Sequence, residues 1–241
     1  MSSNRQPRDR QKALTSHLER CYAHLDETQT LYDAGALSVH VSTSREGKIR
    51  GIKSISVLPS FDCLMRWIDQ KEGMICGHCY AVGALMTYRQ TMIRRLIQNA
   101  YLMSRPIQDH AIPRGLIGPV RFNAFGEVLN EYHAQWVLAI VRANPKAVFS
   151  LITKQVNLFP MNNRPKNLIL ISSKFRIDDT SIDERTDKTY CVISEPETDE
   201  MKRDPMNHPC QDGCLQCYIH DEGCYSKRGP KRIIRQLQKV S

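Results

Sequence analysis

Apolar and polar residues alternate along this chain in short bursts separated by turn-rich pieces. ALSVHVS and IKSISVLP predict two strands, with SREGKIRG as the turn between them. Further on, GPVRFNAFG predicts a strand and EYHAQWVLAIVRANP a helix ended by Asn-Pro. AVFSLIT, NLILISS and TYCVIS predict three more strands. Between IKSISVLP and GPVRFNAFG the period changes. Val82, Leu85, Met86, Tyr88, Met92, Leu96, Ala100 and Met103 recur at helical spacing and predict a long helix from about Tyr80 to Ser104, with Arg94 and Arg95 largely off its apolar face. A weaker helical pattern covers residues 11 to 33, and the polar opening dozen residues read as disordered.

Strands alternating with helical or irregular crossovers argue for a parallel α/β sheet, either a partial barrel or a doubly wound sheet. In such sheets the carboxyl ends of the strands open onto one face, and active sites are built there. Each strand here runs at once into chemically capable residues. IKSISVLP leads to a loop with Cys63, Cys76 and Cys79, VRFNAF to Gly126-Glu127, AVFSLI to Thr153-Lys154, NLILI to Ser172-Ser173-Lys174, and TYCVI to Ser194-Glu195. Strand ends are polar in any protein, so one such coincidence carries little; five in succession point to a shared pocket. The chain divides into a helical or disordered extension over 1–35, an α/β body over 36–196 with the first cysteine group, and a cysteine-rich extension with a basic tail over 197–241.

Composition changes this picture at two points. The hydrophobic fraction of 41% and charged fraction of 24% are those of a globular protein. No apolar run approaches a membrane span, and MSSNRQPRDRQK is unlike a signal peptide, so a cytoplasmic location away from membranes is expected. In a reducing compartment, clustered cysteines hold metal or do redox chemistry rather than form disulfides. The second point is the net charge of +9, much of it near the ends. After Tyr225, SKRGPKRIIRQLQKVS carries six bases and no acid, and Ile233, Ile234, Leu237 and Val240 give it a helical stripe. The tail reads as a short docking helix with a solvated basic face; contact with nucleic acid or another polyanion is the alternative.

Seven of the nine cysteines fall into two groups. Cys63, Cys76 and Cys79 are spaced C-x12-C-x2-C; Cys210, Cys214, Cys217 and Cys224 are spaced C-x3-C-x2-C-x6-C. Cys21 and Cys191 stand apart and read as structural thiols. Three thiolates are too few to close a tetrahedral or cubane site, so the first group either borrows a fourth ligand or leaves one metal position open, as catalysis requires. A helix starting just after Cys79 would place its positive end against that cluster. Four cysteines complete a site, so the second group suits a structural or electron-carrying centre. Zinc and an iron–sulfur cluster are both allowed there, and the compact run tips the choice towards iron–sulfur. His78, His208 and His220 lie close by and are candidate ligands, but each reads first as a loop histidine that binds nothing.

The run from SVLPSFDC through CGHCYA, then VRFNAFGEVLNEYHAQWVLAIVRANP, FSLITK and the late cysteine loop resembles the phage "gene product 88" proteins, which are radical-SAM-like. The resemblance covers roughly residues 50 to 225, and its strongest signature is Cys76, Cys79, Tyr80 and Ala81 followed by Arg121, Gly126 and Glu127. It implies a partial (β/α) barrel of parallel strands with a C-terminal cysteine-rich, cluster-binding extension. It also implies a [4Fe–4S] cluster on Cys63, Cys76 and Cys79 whose open iron binds S-adenosylmethionine, with Gly126 and Glu127 at the cofactor's amino group. Phe125 replaces the first glycine of that Gly-Gly-Glu type motif. The usual spacing is C-x3-C-x2-C, which Cys210, Cys214 and Cys217 have instead, after the last strand and ahead of a fourth cysteine. Position in the fold therefore assigns the first group to the open cluster.

On this reading the chain is an iron–sulfur protein that reductively cleaves S-adenosylmethionine to modify an unknown substrate, using electrons from an external donor. Glu127, Lys154, Lys174 and Glu195 would line the substrate side, and Cys210, Cys214, Cys217 and Cys224 would carry an auxiliary cluster. The alternative is a non-enzymatic iron–sulfur or zinc module that engages nucleic acid or a host protein through its basic ends. For a phage-encoded chain the compartment would be the host cytoplasm.

Overall fold

The computed structural model describes residues 9–45, 47–87, 92–196, 198–210 and 213–237. Helices α1 (Arg10–Tyr22) and α2 (Leu25–Asp33) precede strands β1 (Ser42–Thr43) and β2 (Lys53–Ile55). Helices α3 (Phe61–Asp69), α4 (Tyr80–Thr87) and α5 (Ile93–Met103) lead to β3 (Gly118–Phe122), α6 (Glu131–Ala143), β4 (Ala147–Thr153), β5 (Leu168–Ser173) and β6 (Lys188–Ile193). Helix α7 (Asp199–Arg203), β7 (Asn207–Pro209), α8 (Cys214–Ile219) and β8 (Arg232–Gln236) follow.

The strands form one open sheet in the order β1-β2-β3-β4-β5-β6-β8-β7. Among the described strands only the β1–β2 pair is antiparallel. From β2 to β6 the strands lie side by side in chain order, so all their carboxyl ends share one edge.

Period-two alternation gives this sheet two unlike faces. Val120 and Phe122 of β3, Phe149 and Leu151 of β4, and Leu168 and Leu170 of β5 point to one side, where α6 covers them with Trp136, Val137, Ile140 and Val141. Helix α6 starts where the Asn130 side chain accepts from His133 N at 3.0 Å and stops at Asn144 before Pro145. Trp136 is fully buried, and its Nε1 donates to Arg105 O at 2.9 Å. Truncating such a side chain costs about 3–5 kcal/mol. The opposite face carries Ser54, Arg121 and Ser150, which the register sets side by side across β2, β3 and β4.

Four local expectations need correction. The tail is a strand: β8 lies between β6 and β7 and is parallel to both, with Cys210 N donating to Ile234 O at 2.7 Å. Adjacent β-branched Ile233 and Ile234 bury on opposite faces there, which a helix would not allow; Lys239 and Val240 lie outside the described residues. ALSVHVS contributes only Ser42 to β1, because Asn99 captures its backbone by accepting from His40 N at 2.7 Å and donating to His40 O at 3.0 Å. The segment 11–33 is two helices separated at Ala23–His24. Cys63 lies inside helix α3, whose N-cap Ser60 accepts from Cys63 N at 3.3 Å. The predicted helix over 80–104 is described as α4 and α5; residues 88–91, including Tyr88, lie outside the described residues, as do residues 1–8 of the opening segment.

Candidate functional site

The polar face of the sheet and the helices above its carboxyl edge enclose a cleft of about 980 Å³. All seven cysteines of the two groups line it. Gly126, Glu127 and Lys154 line it as well, from the ends of β3 and β4.

The first group is assembled from three local structures. Cys63 comes from the first turn of α3, Cys76 from a 3-10 turn over Ile75–His78, and Cys79 from the residue preceding α4. All three are half-buried. The Cys79 sulfur receives the first backbone N–H groups of α4, from Val82 and Ala81, which oppose the upward push of burial on its pKa; Lys154 opposes it too. Burial also pushes the Cys63 thiol up. Ser60 opposes this, Glu127 and Cys79 add to it, and Lys154 opposes it again. A raised thiol pKa suits a metal ligand, which gives up its proton when the cation arrives. It does not suit a nucleophile standing ready as thiolate.

Gly126 and Glu127 tie this group to the sheet. Gly126 has φ +81°, and a Cβ there would lie 2.4 Å from Val57 O, so only glycine lets this loop cross the end of β2. The Glu127 carboxylate accepts from Val128 N at 2.8 Å, Lys154 N at 3.0 Å and the Thr153 hydroxyl. It thus stands beside Cys63 and Lys154 with both oxygens anchored to the end of β4.

The second group closes over the lower part of the same face. Cys214 and Cys224 are buried with Tyr225 against Ile52, Ile169, Ile171 and Ile233. Burial pushes the Cys224 thiol up to about 12; Arg121 opposes this, and Cys210, Cys214 and Cys217 add to it. Among the described residues, His208, Cys217 and Glu222 are the set of three whose ligand atoms all lie within 4.8 Å of one another. Gly223 makes room for them: at φ +53° its absent Cβ would sit 2.9 Å from His208 Nε2 and 3.1 Å from Cys217 Sγ. His208, read from sequence as a loop histidine that binds nothing, lies instead in strand β7, and Glu222, which sequence spacing does not single out, comes from the turn after α8. A zinc–sulfur bond of about 2.3 Å puts thiolates on one tetrahedral ion about 3.8 Å apart. The seven cysteines by themselves are spread more widely than a single ion requires.

Between the groups stand two arginines. Burial lowers the Arg121 pKa, but Tyr80, Cys224, Cys214 and Tyr225 more than offset it, and the net shift is upward. Arg235 of β8 is shifted upward in the same way by Tyr190, Cys210 and Tyr80, against its own burial. Strands β3 and β8 are four positions apart in the sheet, about 19 Å if it were flat. Both nevertheless act on Tyr80 and on Tyr190.

Two predicted site residues stand elsewhere. Lys174 turns away from the cleft and donates to Ser181 Oγ at 2.8 Å, and Glu195 is exposed beyond β6. Cys21 and Cys191 are buried in apolar packing apart from the cleft, with burial pushing both thiols up to about 11. His78 lines the cleft, and His220 caps α8. No helix is long and apolar enough to cross a membrane among the described residues. No protein-family model, curated protein or solved structure matches this chain.

Proposed function

We propose that the protein is an iron–sulfur protein of radical-SAM type on a partial (β/α) barrel, with an open [4Fe–4S] cluster on Cys63, Cys76 and Cys79. The observation that carries this reading is the convergence of three half-buried cysteines with Glu127 and Lys154 at the carboxyl edge of a parallel sheet, over a cleft with room for a cofactor and a substrate. Barrel-like curvature is supported by the sequential parallel order of β2 to β6. S-adenosylmethionine on such a cluster supplies one-electron reductive cleavage and hydrogen abstraction from the substrate. The chain's own residues hold and orient. The α4 N-terminus and Lys154 offset thiolate charge, and Glu127 Oε2, which accepts from Lys154 N, keeps lone-pair capacity for an ammonium group facing the cleft, whereas Oε1 is taken by Val128 N and the Thr153 hydroxyl. Gly126 sets the height of that carboxylate above β2.

The second centre is an auxiliary cluster on Cys210, Cys214, Cys217 and Cys224, or a zinc site in which His208 and Glu222 join Cys217. The second form is favoured by the convergence of those three ligand atoms. A zinc centre here would accord with the binding-module alternative as well. Anaerobic purification followed by iron, sulfide and zinc analysis with a visible spectrum decides both points. About four irons and four sulfides per chain plus one zinc supports an open cluster and a zinc centre; about twice that iron with no zinc supports two clusters. Colourless protein holding only zinc would remove the radical reading.

A further inference from the structure

Two guanidiniums stand at the floor of the cleft. Arg121 and Arg235 both line it, and neither pairs with an aspartate or glutamate among the described residues. Their neighbours are the phenols of Tyr80, Tyr190 and Tyr225 and the thiols of the second group. Arg121 Nε is buried without a hydrogen-bond partner. Just past the end of β3, where the chain turns through φ +52°, the buried Asn123 amide has a partner for neither its oxygen nor its nitrogen. Buried charges and amides are costly unless something pairs with them. Among the described residues the rest of the cleft wall repeats the imbalance, with five further lysines and arginines against two acids, Asp62 and Glu127. Glu127 is already engaged by Val128, Thr153 and Lys154.

We infer that Arg121 and Arg235 form an oxyanion-binding subsite at the cleft floor, which holds a carboxylate or phosphate of the molecule the cleft takes. Guanidinium forks match the planar or tetrahedral oxygen arrays of these groups. The subsite also fixes an orientation. Arg121 lies between Tyr80, which adjoins Cys79, and the Cys214–Cys224 segment. An anion held there leaves the rest of its molecule to extend towards Cys63, Cys79 and Lys154. This inference rests on the cleft being the substrate site, and it names the substrate as an anion. The competing partner is the second centre, whose own thiolates could neutralise both arginines.

The test is isothermal titration of the full-length, anaerobically purified protein at low ionic strength, where screening is weakest. The probes are pyrophosphate and succinate, with succinamide as the neutral counterpart, and metal content is measured on each sample. At least one anion is expected to bind in the millimolar range or tighter while succinamide does not. Arg121→Gln and Arg235→Gln should each weaken it by about tenfold or more at unchanged metal content. The tighter anion identifies the class, phosphoryl or carboxylate. Circular dichroism checks folding, and Arg235→Gln carries the test should Arg121→Gln not fold. Anion binding that survives both substitutions, equal binding of succinamide, or no anion binding to metal-loaded protein would each overturn the subsite. Arginine-dependent binding to protein that carries no iron would keep the subsite and remove the radical reading instead.

Discussion

Cys63, Cys76 and Cys79 sit on a helix turn, a 3-10 turn and a helix entry beyond β2, all half-buried, whereas Cys214 and Cys224 are sealed against Ile52, Ile169 and Ile233 on the sheet itself. The first group therefore hangs above the cleft on elements that the sheet does not need in order to pair. The second group is part of what packs the sheet, and its segment is bracketed by β7 and β8. On the proposed reading, loss of the first centre should remove chemistry and leave the fold; loss of the second should damage both.

The largest effect is expected at Gly223. A side chain there meets His208 and Cys217 at 2.9 and 3.1 Å, and φ +53° strains any branched residue. Gly223→Val should cost about 3 kcal/mol or more and empty the second centre, read by denaturant unfolding and metal analysis. Unchanged stability would mean that the segment is not part of the sheet's packing.

Cys76→Ala and Cys79→Ala come next. Each should abolish iron at the first centre and leave the second centre's metal in place, with a stability loss of only about 1 kcal/mol. Equal metal loss from both centres would show that the groups form one site and would end the comparison. Glu127→Ala is a finer probe. It frees Lys154 N and the Thr153 hydroxyl, at a cost of about 1–3 kcal/mol. Iron content should hold while S-adenosylmethionine affinity falls; equal affinity in mutant and wild type would leave Glu127 with a structural role alone.

The same contrast separates what the sequence made legible from what it hid. β4 matches AVFSLIT residue for residue, β5 and α6 fall within their predicted runs, and β6 starts one residue before TYCVIS, because β-branched alternation and an Asn cap are local signals. The first cysteine group was legible for the same reason, lying between two well-patterned strands. The second was legible as a set of cysteines but not as a place. β8 was hidden because its partners β6 and β7 are set by parallel crossovers, and its Ile233, Ile234, Leu237 spacing also satisfies a helix. His208 reads in sequence as a loop histidine and reaches Cys217 from β7, while Glu222, whose N–H donates to Cys217 O at 2.9 Å, is not singled out by spacing. Lys174 and Glu195 follow strands as expected, yet strand-end position does not fix which way a side chain turns.

The smallest effect is a pH dependence that would blur the comparison unless it is removed. His133, buried in the first turn of α6, accepts from Leu129 N at 3.2 Å through Nδ1, and burial lowers its pKa to about 3. Burial, with help from Arg20, lowers that of His17 to about 4. Both imidazoles stay neutral in the fold, while the unfolded chain protonates them near pH 6.5. Their contribution is therefore complete above about pH 6.5 and is lost progressively as pH falls towards the folded values, by up to about 1.4 kcal/mol per unit for each. Acid also protonates cysteine ligands, so unfolding on the helix-covered side and metal release on the cleft side would coincide in wild type. His133→Gln keeps an acceptor for Leu129 N but cannot titrate. Between pH 6.5 and 5 its unfolding free energy should fall less steeply than wild type by up to about 2 kcal/mol. The pH at which the visible absorption disappears should stay where it was. A parallel shift of both transitions would mean that metal release, not the helical layer, sets acid stability, and that the two sides of the sheet fail as one.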